Sequence, residues 1–94
     1  MSTHERSSLA CEFTAIPEKD RNDHAQTAEN VFNAIKGYRE TPGGYSFELP
    51  AQTEIIEEAG AFVARERLCC PFFNFELEVT ADEGPVWLTL SGDS

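Results

Sequence analysis

The chain has 94 residues and a formal net charge of −10, with 17 acidic side chains against 7 basic ones. This length gives one domain with a moderate core, and an apolar share of 40% with 7 Phe indicates a folded protein rather than a disordered one. The acidic excess argues against nucleic acid or anionic lipid as a partner, because both attract clustered Lys and Arg.

Residues 1–7 are polar and are predicted to form a disordered N-terminal tail, followed by a single domain over residues 8–92. We find no apolar run typical of a signal peptide or a membrane span, which favours a cytoplasmic location without a membrane partner. In such a reducing compartment, the 3 Cys are more typical of thiols, metal ligands or redox groups than of a disulfide framework.

The first elements in chain order are a short strand and a helix. Alternating apolar residues over 9–13 predict a strand that turns the Cys11 side chain inward. A helix is expected over residues 17–36, with Pro17 in its first turn and Gly37 as a left-handed cap. His24 lies at the upstream end of its apolar stripe. The stripe consists of Ala28, Val31, Phe32 and Ile35.

A hairpin and a second helix follow. The turn residues 41–44 predict a hairpin between strands over 38–40 and 45–49. The second helix is expected to begin near Thr53, an acceptable N-cap. Its apolar spacing extends to Cys69 and Cys70, and Pro71 disfavours helical geometry at the residue before it, so the helix should end at about Cys69.

Two alternating strands, over residues 73–80 and 86–91, complete the chain. The order β-α-β-β-α-β-β predicts an α+β fold, with an antiparallel sheet of four to five strands and two helices on one face, as in a split βαβ unit. In this topology the chain directions bring Cys11, His24 and the Cys69-Cys70 pair to the same end of the domain.

The thiol groups of the three cysteines predict a site for a soft metal or metalloid ion such as zinc, copper(I) or mercury(II), or for a small thiol-reactive ligand. Adjacent cysteines are not a standard zinc-finger spacing, so a thiolate site formed by Cys11, Cys69 and Cys70 fits the sequence better. His24 and Glu66 are further candidate ligands.

Two alternatives stay open. In a thiol redox protein, Cys11 would pair with Cys69 or Cys70, because a disulfide between the adjacent residues would be strained. In a non-catalytic interaction module, the cysteines would be packed as small hydrophobic residues. We predict no set of catalytic residues, and pairing of two copies into a homodimer is left open.

The junction after the second helix carries a pattern of its own. Residues 66–77 read E-R-x-C-C-P-F-x-x-F-x-L, residues 84–92 read G-P-x-W-L-x-L-x-G, and an Arg21-x-x-His24 pair lies upstream. Over residues 9–92 the chain resembles small, functionally uncharacterised bacterial proteins with this signature, whose members are expected to continue into a further helix. The resemblance implies an association with heavy-metal response and favours a thiolate site.

Overall fold

A computed structural model describes residues 13–92. Short 3-10 turns at Phe13–Ala15 and Glu18–Asp20 are followed by α1 (Arg21–Asn33), β1 (Gly37–Thr41), β2 (Gly44–Leu49), α2 (Thr53–Cys69), β3 (Phe73–Val79) and β4 (Val86–Gly92). Within this range no helix combines the length and the hydropathy needed to cross a membrane.

The four strands form one antiparallel sheet in the order β1-β2-β4-β3. Phe47 of β2 pairs with Leu88 of β4, which pairs in turn with Leu77 of β3, so these apolar residues share one face. The helices cover that face, since residues of both belong to the cluster that contains Leu88. The buried members of this cluster are Val31, Leu49, Ala59, Phe62, Val86 and Leu88. The predicted α+β class is thereby confirmed.

The beginning of the chain differs in detail from the prediction. The predicted strand over residues 9–13 lies outside the described residues except for Phe13, which begins a 3-10 turn. The first helix begins at Arg21, four residues later than expected, after a second 3-10 turn. Gly37 is not a left-handed cap but the first residue of β1. The helix does not reach Gly37, because the backbone N–H of Lys36 donates to the carbonyl of Glu48 at 2.8 Å. Pairing with β2 thus begins just before Gly37.

The second helix follows the prediction closely. It begins at Thr53, with Gln52 rather than Thr53 at the N-cap position, and it ends at Cys69. Cys70 leaves the helix with φ −128° and ψ 66°, which is not helical, in line with the effect of proline on the residue before it. Its backbone N–H still donates to the carbonyl of Glu66 at 2.8 Å. Both cysteines therefore lie where the helix ends and the chain turns towards β3.

A second, smaller apolar cluster surrounds this junction. Ile16, Cys69 and Cys70 are its buried members, and Phe72, Phe73 and Phe75 pack against them. The Arg21 side chain holds the segment around Ile16 in place, because its Nε donates to the Ile16 carbonyl at 2.9 Å and its Nη2 to the Thr14 carbonyl at 3.0 Å. Arg21, which belongs to the sequence signature, is thus held by two hydrogen bonds to the backbone of this segment.

The face of the sheet opposite the helices, which we call the open face, is polar. Strand alternation places the side chains of Arg39, Trp87 and Thr89 on it, and the Arg39 guanidinium lies 4.1 Å from the centre of the Trp87 ring. Ser46 and Thr89 share a hydroxyl hydrogen bond of 2.7 Å across β2 and β4. The acidic residues of this face are Glu48, Glu76 and Glu78.

Candidate metal centre at the end of α2

The centre is organised around Glu66, which lies in the last turns of α2. Nε2 of His24, on α1, is 2.7 Å from Oε1 of Glu66. A carboxylate can only accept a hydrogen bond, so the imidazole nitrogen donates. The His24 side chain is 4% exposed and that of Glu66 is 20% exposed, so the contact between the two helices is largely shielded from solvent.

The His24 ring is held by packing as well. It stacks on the Phe62 ring, with the ring centres 5.6 Å apart and an angle of 17° between the planes. Its other nitrogen, Nδ1, is buried and has no hydrogen-bond partner among residues 13–92. Glu66 is therefore the polar group that orients this imidazole.

Cys69 contributes a buried free thiol that is 3% exposed. Burial raises the pKa of this thiol to about 11, and the charge of the Glu66 carboxylate and a hydrogen bond to it act in the same direction. At neutral pH the Cys69 sulfur therefore keeps its proton. A protonated thiol is a poor nucleophile, and a metal ion would have to displace that proton to bind.

Cys70 is fully buried and lies beside the same carboxylate. Its Sγ is 3.8 Å from the Sγ of Cys69 and 3.2 Å from Oε2 of Glu66. Unlike Cys69, which is a free thiol, Cys70 is disulfide-bonded. In this state the Cys70 sulfur has no proton to lose and is not a thiolate.

Three of these side chains form a group of metal-ligand type. One donor atom from each of His24, Glu66 and Cys69 lies within 4.8 Å of the others. The set consists of an imidazole nitrogen, a carboxylate oxygen and a sulfur, which together are typical of zinc rather than of a purely soft ion.

The structure brings together four of the five predicted site residues: His24, Glu66, Cys69 and Cys70. Cys11 lies outside the described residues. Glu66, predicted only as a further candidate ligand, occupies a central position, because it contacts both His24 and Cys70. Its helical spacing of three and four residues from the two cysteines is the sequence signal that identifies it. Phe62 lies four residues before Glu66 on the same helix, so the same spacing places it on this face.

Raising the pH is expected to destabilise the metal-free protein through Cys69. The folded pKa of about 11 exceeds the ordinary value of 9.0, so the folded state holds the proton more tightly than the unfolded chain. This stabilisation is complete below pH 9.0 and is lost as the pH rises towards 11, which amounts to about 2 to 3 kcal/mol. Urea unfolding across this range should show a steeper fall for the parent than for Cys69→Ala. Equal slopes would contradict the assignment.

Comparison of the chain with protein-family models, curated proteins and solved structures finds no match. The likeness to bacterial proteins with the C-C-P-F signature therefore remains a prediction.

Proposed function

We propose that this protein binds one metal ion at the end of α2, through His24, Glu66 and Cys69, and that zinc is the best-matched ion. The observation that supports this is the buried group of three donor atoms within 4.8 Å of one another. Zinc accepts nitrogen, oxygen and sulfur ligands in one site, whereas copper(I) and mercury(II) prefer sulfur alone. Cys11, predicted as a ligand, is not required for this set.

The contact between His24 and Glu66 needs only a small adjustment to hold an ion. In a tetrahedral zinc site, bonds of about 2.0 Å to nitrogen and oxygen separate these two atoms by about 3.3 Å. The His24 and Glu66 atoms are now 2.7 Å apart, at a hydrogen-bond distance. An ion that replaces the shared proton would therefore move the carboxylate by roughly half an ångström. Of the two side chains, that of Glu66 is the more exposed, at 20% against 4% for His24.

Proton release opposes binding and makes it depend on pH. Cys69 must lose its proton, and burial holds that thiol in the protonated form. Coordination through Nε2 would also move the His24 proton to Nδ1, which has no acceptor among the described residues. Each of these changes costs free energy, so affinity should increase as the pH rises through the neutral range.

A thiol redox function is the second candidate, and the disulfide at Cys70 favours it. The pKa of about 11 at Cys69 weighs against it, because the neighbouring thiol would rarely be ionised to attack that bond. We therefore rank metal binding first.

The test is a zinc titration of the reduced protein in competition with a chromophoric chelator, with native mass spectrometry to count bound ions. We expect one zinc per chain, and a loss of affinity of about 100-fold for Cys69→Ser and about 10-fold or more for Glu66→Gln. Glu58→Gln is the matched control, because Glu58 is also on α2 and also contacts α1, by accepting a hydrogen bond of 3.0 Å from Asn30.

Two results would count against the proposal. One is a parent protein that binds no zinc when fully reduced. The other is an equal affinity for Glu66→Gln and Glu58→Gln, which would place the ion elsewhere. Circular dichroism of each variant separates loss of a ligand from loss of the fold.

A further inference from the structure

The geometry points to a redox switch on this centre: we propose that the reduced Cys70 is a fourth protein ligand and that its disulfide removes that ligand. The inference rests on the proposed metal site. Oxidised protein would offer His24, Glu66 and Cys69, and reduced protein would offer a complete tetrahedral set. The change of one bond would thus alter the affinity for the ion.

The first support is the distance between the two sulfurs. Two thiolates bound to one zinc ion at about 2.3 Å, at the tetrahedral angle, lie about 3.8 Å apart. The Cys69 and Cys70 sulfurs are 3.8 Å apart although no bond joins them. The two side chains of this adjacent pair are therefore already spaced as ligands of one ion.

The second support is the position of Cys70 relative to Glu66. The Cys70 sulfur is 3.2 Å from Oε2 of Glu66, whose other oxygen contacts His24. Sulfur and oxygen ligands of a tetrahedral zinc lie about 3.5 Å apart, so this pair also needs only a small change. Glu66 thus adjoins the three other donors of the proposed set.

The third support is the environment. Cys70 is completely buried and Cys69 is 3% exposed, and both pack with Ile16. Metal–thiolate bonds in such a site are shielded from water, which strengthens the attraction between the ion and its charged ligands. An ion bound there would in turn protect both thiolates from oxidation.

The switching step needs a reductant, and a small thiol of the glutathione class fits. One such thiolate attacks the disulfide, forms a mixed disulfide with one sulfur and releases the other. A second thiol then displaces the remaining protein sulfur. Two reductant thiols thereby give up two electrons and two protons to form their own disulfide, and the protein gains two thiols. When zinc binds, the Cys70 thiol releases its proton to solvent.

The experiment compares zinc affinity in the disulfide-bonded and fully reduced forms of the whole chain, and repeats both with cobalt(II) in place of zinc. We expect reduction to tighten binding by about 10- to 100-fold. The sulfur-to-cobalt charge-transfer absorbance per bound ion should roughly double, since two thiolates replace one. In Cys70→Ser, affinity and absorbance should be the same under both conditions and close to those of the oxidised parent.

The outcomes separate the switch from the metal site itself. Equal affinity and equal absorbance of the two parent forms would overturn the switch while leaving the three-ligand site intact. Absence of binding in both forms would remove the site and the switch together. A redox response that persists in Cys70→Ser would assign the effect to another cysteine and overturn the role of Cys70.

Discussion

Replacing Phe62 with alanine is expected to lower the free energy of unfolding by about 4 kcal/mol. The ring is 1% exposed and lies in the main core between the helices and the sheet. It also contacts the Phe32 ring edge-on, with the ring centres 5.4 Å apart, and stacks on His24. Truncation would remove these contacts and leave a cavity next to His24. Urea denaturation followed by circular dichroism measures the loss.

Phe62→Leu is the matched control for this prediction. Leucine retains most of the buried apolar volume but cannot stack on His24, so a cost of about 1 to 2 kcal/mol is expected. If both variants cost less than about 1 kcal/mol, the core does not depend on this ring. If leucine costs as much as alanine, the stacking contact rather than the filled volume stabilises the fold.

The second large effect is expected at Gly44, where a change to alanine should cost about 3 kcal/mol. Gly44 is the first residue of β2 and pairs with Ser91 of β4. A Cβ atom there would overlap the carbonyl oxygen of Leu90 and lie 2.8 Å from the Cα of Ser91. The obstacle is backbone rather than a side-chain end, so the two central strands would have to separate.

Gly60→Ala is the control for this substitution. Gly60 lies inside α2, and an added Cβ would meet nothing within 4 Å. Alanine is favoured over glycine inside a helix, so this variant should gain about 0.5 to 1 kcal/mol. Thermal unfolding of the two variants should shift in opposite directions. A loss of stability in both would show that the effect at Gly44 is not the strand contact.

The sequence was most informative where a local pattern decides the structure. Pro71 limits the geometry of the residue before it, and the second helix ends at Cys69 as predicted. The Pro-Gly-Gly turn likewise formed between β1 and β2, with Gly43 at φ 84°. Such signals act over a few residues and need no knowledge of the rest of the fold.

Features set by tertiary contacts were harder to predict. Gly37 was expected to end a helix, but pairing of Lys36 with Glu48 made it the start of a strand. Phe32 was expected in the buried stripe, yet it is 48% exposed, although its ring contacts that of Phe62. The central position of Glu66 depends on how closely α1 approaches α2, which no spacing along one helix specifies.

The position of β3 at one edge of the sheet has a consequence for how copies of the protein meet. Within residues 13–92 its N–H and C=O groups on that side have no partner strand, and such an edge can recruit a second molecule. On the open face this strand carries Glu76 and Glu78, so two copies joined along it would bring carboxylates of like charge together. The negative charge that argues against nucleic acid as a partner thus also opposes growth of the sheet from one molecule to the next.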